Sequence, residues 1–139
     1  MIDQLPGTVS VSRTIAESDV YLFAGITGDL SPQHVDAEYM RGTPIGERII
    51  HGSYLLGLMS AASAAWCTAA EFQALSYGYD RVRFLRPIRI GDTVTASFTT
   101  ESEVPEKGQL LARLEARNQD GELAVVATHI LKRLEAEGS

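Results

Sequence analysis

At 139 residues, 45% hydrophobic and 22% charged, the chain has the size and composition of one ordinary globular domain, large enough to bury roughly two thirds of its unfolded surface. A formal net charge of -6 without a Lys/Arg-rich stripe argues against nucleic acid as a partner, although Arg81, Arg83, Arg86 and Arg89 form a local basic exception suited to an anionic ligand. The single cysteine, Cys67, excludes an intrachain disulfide and a multi-cysteine metal site; with no basic, then apolar, N-terminal stretch, the expectation is a soluble cytoplasmic protein.

Gly7 to Ile15 alternates, with Val9, Val11 and Arg13 on one face, and predicts a strand. Glu17, Ser18 and Asp19 then supply acidic and capping residues ahead of Val20, Leu22, Phe23 and Ile26, a short helix that stops near Gly28. Asp29 to Pro32 is turn chemistry, because Pro32 disfavours a helical Ser31 and brings no N–H. A helical turn over Ala37 to Met40 follows, and Gly42, Pro44 and Gly46 mark a loop. The clearest helix runs from His51 to about Ala70, with no charge before Glu71. It is apolar on nearly all sides, so it is predicted to be wrapped by other structure. Its apolar stretch, Tyr54 to Trp66, is too short and too rich in alanine and serine to span a bilayer.

Strands are predicted over about 75–86, 92–103, 108–119 and 122–134. Val94, Ala96 and Phe98 alternate in one, and Ala112, Leu114 and Ala116 alternate with charged residues in another. Asn118-Gln119-Asp120-Gly121 and Glu106-Lys107-Gly108 are turn signals, and Glu135 to Ser139 should fray. One strand, a buried helix and four antiparallel strands describe an α+β domain over residues 1–139, a sheet curled around a central helix.

The chemistry concentrates in Thr27-Gly28-Asp29-Leu30-Ser31-Pro32-Gln33-His34 and Ile49-Ile50-His51-Gly52-Ser53. Asp29 and His34 stand five positions apart across a kinked turn, and Gly52 can expose a backbone N–H at a helix start. Those are the parts of an acid/base site with an oxyanion hole. Asp-x-x-x-x-His alone is a weak signal. The longer run Tyr21 to Asp36, with Gly46-Glu47-Arg48-Ile49-Ile50-His51-Gly52 and Phe84-Leu85-Arg86-Pro87-Ile88-Arg89-Ile90-Gly91-Asp92, resembles in order three blocks of the MaoC-like family of (R)-specific enoyl-CoA hydratases.

The resemblance implies a hot-dog fold, a homodimer or dimer of dimers, and an acyl-CoA thioester substrate, with an acyl carrier protein as the other possible carrier. It implies no cofactor beyond the coenzyme A that is part of the substrate. It carries over Asp29 and His34 as the catalytic pair, Gly52 as the oxyanion donor, and Ser60 as a hydroxyl that orients the water or the carboxylate. Ser31 replaces the usual Asn of the signature and keeps a short hydrogen-bonding side chain, and Ile45 stands where an aromatic is common. His51 is expected to brace the loop that carries Asp29, and Asp36 to fix local backbone. His34, His51 and His129 show no metal-ligand spacing on a helix, so no metal site is expected. Two other readings share the fold: a thioesterase, which commonly carries a carboxylate on the central helix, where this chain has none between His51 and Ala70, and a non-catalytic acyl-thioester binding subunit, which would be expected to lose Asp29 or His34.

Overall fold

The computed structural model of the protein describes residues 5–135, so the end predicted to fray, from Ala136 onward, lies outside the described residues. The elements run β1 (Thr8–Thr14), α1 (Glu17–Thr27), α2 (Pro32–Val35), α3 (Ala37–Arg41), α4 (Gly52–Ala70), β2 (Ala74–Phe84), β3 (Thr93–Val104), β4 (Gln109–Arg117) and β5 (Leu123–Arg133). All neighbouring strands are antiparallel, in the order β1-β3-β4-β5-β2. The sheet curls around α4, which is the α+β hot-dog arrangement the sequence predicts.

The inward register follows the alternation. Val94, Ala96 and Phe98 of β3, Leu110, Ala112, Leu114 and Ala116 of β4, and Ala127 and Leu131 of β5 are buried against Leu55, Met59, Ala62 and Trp66 of α4. The Trp66 ring stacks on Phe98 with centroids 4.9 Å apart, and its Nε1–H donates to the Pro6 carbonyl at 2.7 Å, which ties the chain's start to the helix. The wrapping of α4 is one-sided, contrary to the expectation from its composition. Ser53, Gly57, Ala61, Ala64 and Thr68 form an exposed stripe of small residues that the single sheet does not reach. Their size, not their burial, made the helix look apolar all round.

A second difference lies after Asp29. Pro32 opens the short helix α2 instead of ending a turn, because the first helical position needs no N–H and welcomes a fixed φ.

His129 occupies an inward position of β5 and is buried. Its Nδ1 lies 2.7 Å from Ser63 Oγ on α4 and its Nε2 2.8 Å from Ser76 Oγ on β2, while Tyr79 stacks on the ring at 4.2 Å. Burial pushes this imidazole down to about 4, so it is neutral in the folded chain where an unfolded one takes up a proton below about 6.5. The unfolded state therefore binds more protons between those values, and stability falls as the pH drops through them, by an amount on the order of 2 kcal/mol. Urea midpoints measured from pH 7 to pH 4 should show this loss, and His129→Asn should flatten it.

Candidate active site

The three sequence blocks meet at one place because each supplies a backbone partner for another. Gly28, at φ 81, ends α1 with its N–H on the Ala24 carbonyl at 2.8 Å and turns the chain outward at Asp29. Ile49 N–H donates to Gln33 O at 3.0 Å, and Ile50 N–H donates to Ile88 O at 2.9 Å, so the segment entering α4 is sewn between α2 and the chain after β2. Asp36 accepts from Tyr39 N–H at 2.9 Å and caps α3, the backbone role expected of it. Gly91 and Asp92, the end of the third block, form a clasp away from the chemistry: Gly91 N–H reaches Ile15 O at 2.7 Å, and the Asp92 carboxylate accepts from Arg89 N–H and the Gln119 amide.

Within this frame His34 is buried and Asp29 is about half exposed, with 4.0 Å between His34 Nε2 and Asp29 Oδ2. His34 Nδ1 sits 2.8 Å from the Ile49 carbonyl, which only accepts, so Nδ1 carries the proton. In the neutral ring the Nε2 lone pair is then turned to Asp29. Ser31 donates its hydroxyl to Asp29 Oδ1 at 2.5 Å and its N–H to the same oxygen at 3.2 Å. The Ser31 hydroxyl first, then its amide, hold the Asp29 carboxyl below the ordinary carboxylate range, with His34 and His51 adding to the effect. The substitution of Ser for Asn in the signature thus keeps a donor on the carboxylate.

His51 is 1% exposed and couples the parts. Its Nε2–H donates to the Asp29 carbonyl at 2.9 Å, and its ring stacks on His34 at 3.8 Å and tilts against Phe23 at 4.7 Å. The hydrogen bond ties His51 to the loop that carries Asp29. Its Nδ1 is buried with no hydrogen-bond partner among the described residues. His51 also ends the extended segment before α4, at φ -60 and ψ 137, which places Gly52 at the first helical position. The earliest N–H groups of a helix have no intrahelical acceptor, so Gly52 N–H is available to a ligand at the positive end of a 19-residue helix. Ser60 stands about 12 Å further along α4 at helical rise, half-buried, and its hydroxyl has no side-chain hydrogen bond among the described residues.

A cavity of about 460 Å³ brings His34 and Gly52 together and is lined further by Ile49, Leu55, Phe84 and Arg86 among others, while Asp29, His51 and Ser60 are not part of its lining. A second cavity of similar volume, between α1 and α4, is lined by Leu22, Phe23, Tyr54 and Leu58 and contains neither His34 nor Gly52. Phe84 is the residue that the sequence reading passed over. It opens the third block, and its position there was the available signal. Of the four arginines, Arg86 is paired with Glu122 at 2.8 Å and Arg89 stands 3.9 Å from Glu47, so half of the basic cluster is neutralised within the chain.

Asp29, His34 and His51 each place a ligand-type atom within 4.8 Å of the others. The two imidazole planes are only 24° apart in a stack, so lone pairs lying in those planes do not converge at metal-bond distance. The donor set fits hydrogen-bond chemistry better than chelation.

A family profile described as the MaoC like domain matches residues 3–117. The chain belongs to the MaoC-like domain family. The MaoC-like match stops before β5, yet β5 lies between β4 and β2 in the sheet, so the fold continues through it. Among curated relatives, an (R)-specific enoyl-CoA hydratase of Rhodospirillum rubrum is 41% identical over 100 residues, 72% of this chain and 67% of that protein. A 3-hydroxybutyryl-CoA dehydratase of Methylorubrum extorquens is 36% identical over 100 residues, 72% of this chain and 62% of that protein. The matched segment thus spans about two thirds of these relatives. Among solved structures, an unliganded R-hydratase from Pseudomonas aeruginosa superposes with a TM-score of 0.83 at 29% identity, covering 96% of this chain and 83% of that one.

Proposed function

We propose that the chain is an (R)-specific enoyl-CoA hydratase, run in reverse as a 3-hydroxyacyl-CoA dehydratase, with Asp29 and His34 as its catalytic pair. The observation that carries this reading is the 4.0 Å separation of the carboxylate oxygen and His34 Nε2. A water about 2.8 Å from each spans that distance at nearly a right angle, donating one proton to each acceptor. Its oxygen lone pair is then free to attack C3 of an enoyl thioester.

Ser31 weakens the basicity of Asp29, so the water proton passes to His34 Nε2, and the Asp29 charge holds the water and steadies the imidazolium. The new bond is C3–OH, the C2–C3 π pair moves to make the enolate, and its oxygen lies on Gly52 N–H. His34 then returns the proton to C2 on the same face. One water is consumed, the pair ends as it began, and no cofactor takes part. Ser60, about 12 Å along α4 from Gly52 and outside the lining of that cavity, has no part in this step. Arg86 at the cavity wall is held by Glu122, and Arg81 and Arg83, without an acidic partner among the described residues, are the arginines left for the phosphates of coenzyme A or an acidic carrier protein.

The same proposal makes the 139 residues one domain, working as a cytoplasmic homodimer, or a dimer of dimers, in fatty acid metabolism. Support for the dimer comes from the uncovered small-residue face of α4 and from the sheet-edge strand β2, where Tyr77 is 67% exposed. The thioesterase reading lacks its carboxylate, since α4 carries no Asp or Glu from Gly52 to Ala70.

The test follows the enoyl-thioester absorbance of crotonyl-CoA beside a free-thiol assay, with chiral analysis of the product. Absorbance loss without thiol release, giving the (R)-3-hydroxyacyl thioester, is the expected result. Thiol release would identify a thioesterase, and inertness toward short, long and branched enoyl-CoAs would move the proposal to a carrier-protein substrate or a binding subunit.

A further inference from the structure

Phe84 ends β2 with its ring against the start of α4. A Cβ placed on Gly52 would lie 2.9 Å from Phe84 Cε1 and 3.1 Å from Cδ1 and Cζ, closer than carbon atoms pack. The space beside the Gly52 backbone is therefore filled by this ring, and any larger residue at position 52 must displace it. Phe84 also lines the cavity that holds His34 and Gly52, and more than half of its surface is open. It is an apolar wall at the candidate oxyanion donor itself.

We propose that Phe84 is a specificity-determining residue that excludes substituents at C2 of the acyl group, so that the substrate class is the C2-unbranched enoyl thioester. This rests on the hydratase reading and on Gly52 as the oxyanion donor. A thioester oxygen hydrogen-bonded to Gly52 N–H stands about 2.9 Å from that nitrogen. The ring packed on the same residue then faces the carbonyl carbon and its α-carbon, whereas the acyl chain beyond C4 runs out of its reach. A methyl group on C2 meets this ring, which rests on the first turn of α4 and whose backbone is anchored at the end of β2, where Leu85 N–H is held on Ala124 O at 2.7 Å. One added carbon against such a wall is discriminated by about 10- to 200-fold.

The experiment compares kcat/KM for crotonyl-CoA, 2-methylcrotonyl-CoA and trans-2-octenoyl-CoA in the wild type, Phe84→Ala and Phe84→Leu. The wild type should prefer crotonyl over 2-methylcrotonyl within that range. Phe84→Ala should narrow the preference at least about 10-fold, with Phe84→Leu between, while the crotonyl-to-octenoyl ratio stays within about 3-fold. Circular dichroism checks folding, and if the alanine variant is unfolded the leucine variant decides alone. A branched-to-unbranched ratio unchanged by the substitutions, an equal shift in chain-length preference, or a wild type indifferent to the C2 methyl would each overturn the proposal and leave the hydratase reading intact. A wild type inert to all three thioesters would overturn that reading and this one with it.

Discussion

Asp29→Asn and His34→Ala are each expected to lower kcat by at least about 10²-fold, the range for a positioned acid or base, with KM for crotonyl-CoA changed far less. The two losses have different origins. Asn keeps the shape of Asp29 and still accepts the Ser31 hydroxyl through its amide oxygen, but it removes the charge that holds the water and steadies the imidazolium. Asp29 is half exposed, so this change should leave the unfolding midpoint nearly where it was. Removal of the His34 ring takes away the proton carrier. It also strips the Ile49 carbonyl of its donor and the His51 ring of its stacking partner, and that variant should lose about 1–3 kcal/mol of stability as well. Because both groups act on one water, the double variant should be scarcely slower than the slower single one. Steady-state rates of enoyl absorbance loss, with urea melts as the control, check each point. Near-normal turnover in both folded single variants would remove the pair from its role.

The parts of this arrangement that the sequence exposed are those written in local pattern. The strand alternation of Val94-Ala96-Phe98 and Ala112-Leu114-Ala116 translated directly into the inward faces of β3 and β4, since a period of two leaves no freedom about which side is buried. The Gly28 turn and the Asp36 cap were legible for the same reason, as residues whose backbone or side-chain preference acts within a few positions. What stayed hidden depends on partners distant in sequence. The role of Phe84 follows from contact with Gly52, thirty-two positions earlier, and no local preference encodes it. The Ser63–His129–Ser76 chain joins α4, β5 and β2; a histidine in phase with the inward Ala127 and Leu131 was the one trace it left. Arg81, at φ 54 in a bulge of β2, shows no sequence sign of its left-handed backbone. The composition of α4 misled because small residues read as apolar whether a sheet covers them or not.

Gly52→Ala and Gly52→Pro should separate two reasons for the glycine that the structure superimposes. Both substitutions put a Cβ where Phe84 already lies, so both force the half-exposed ring to swing aside. Alanine retains the backbone N–H, whereas proline removes it. Proline is tolerated at a first helical position, and His51, at φ -60 and ψ 137, already holds the extended conformation that a following proline demands. The fold therefore accepts Gly52→Pro about as well as Gly52→Ala, and the difference between them isolates the donor. Gly52→Ala is expected to change kcat within about 10-fold. Gly52→Pro should fall a further 10²- to 10³-fold or thereabouts, the usual loss when one oxyanion donor is removed. The loss should fall on kcat more than on KM, because the charge on the thioester oxygen develops only as the enolate forms. If the two variants prove equally active, the glycine is there for the aromatic ring alone, and the enolate oxygen must find its donor elsewhere, with the N–H of Ser53 next in line at the same helix terminus.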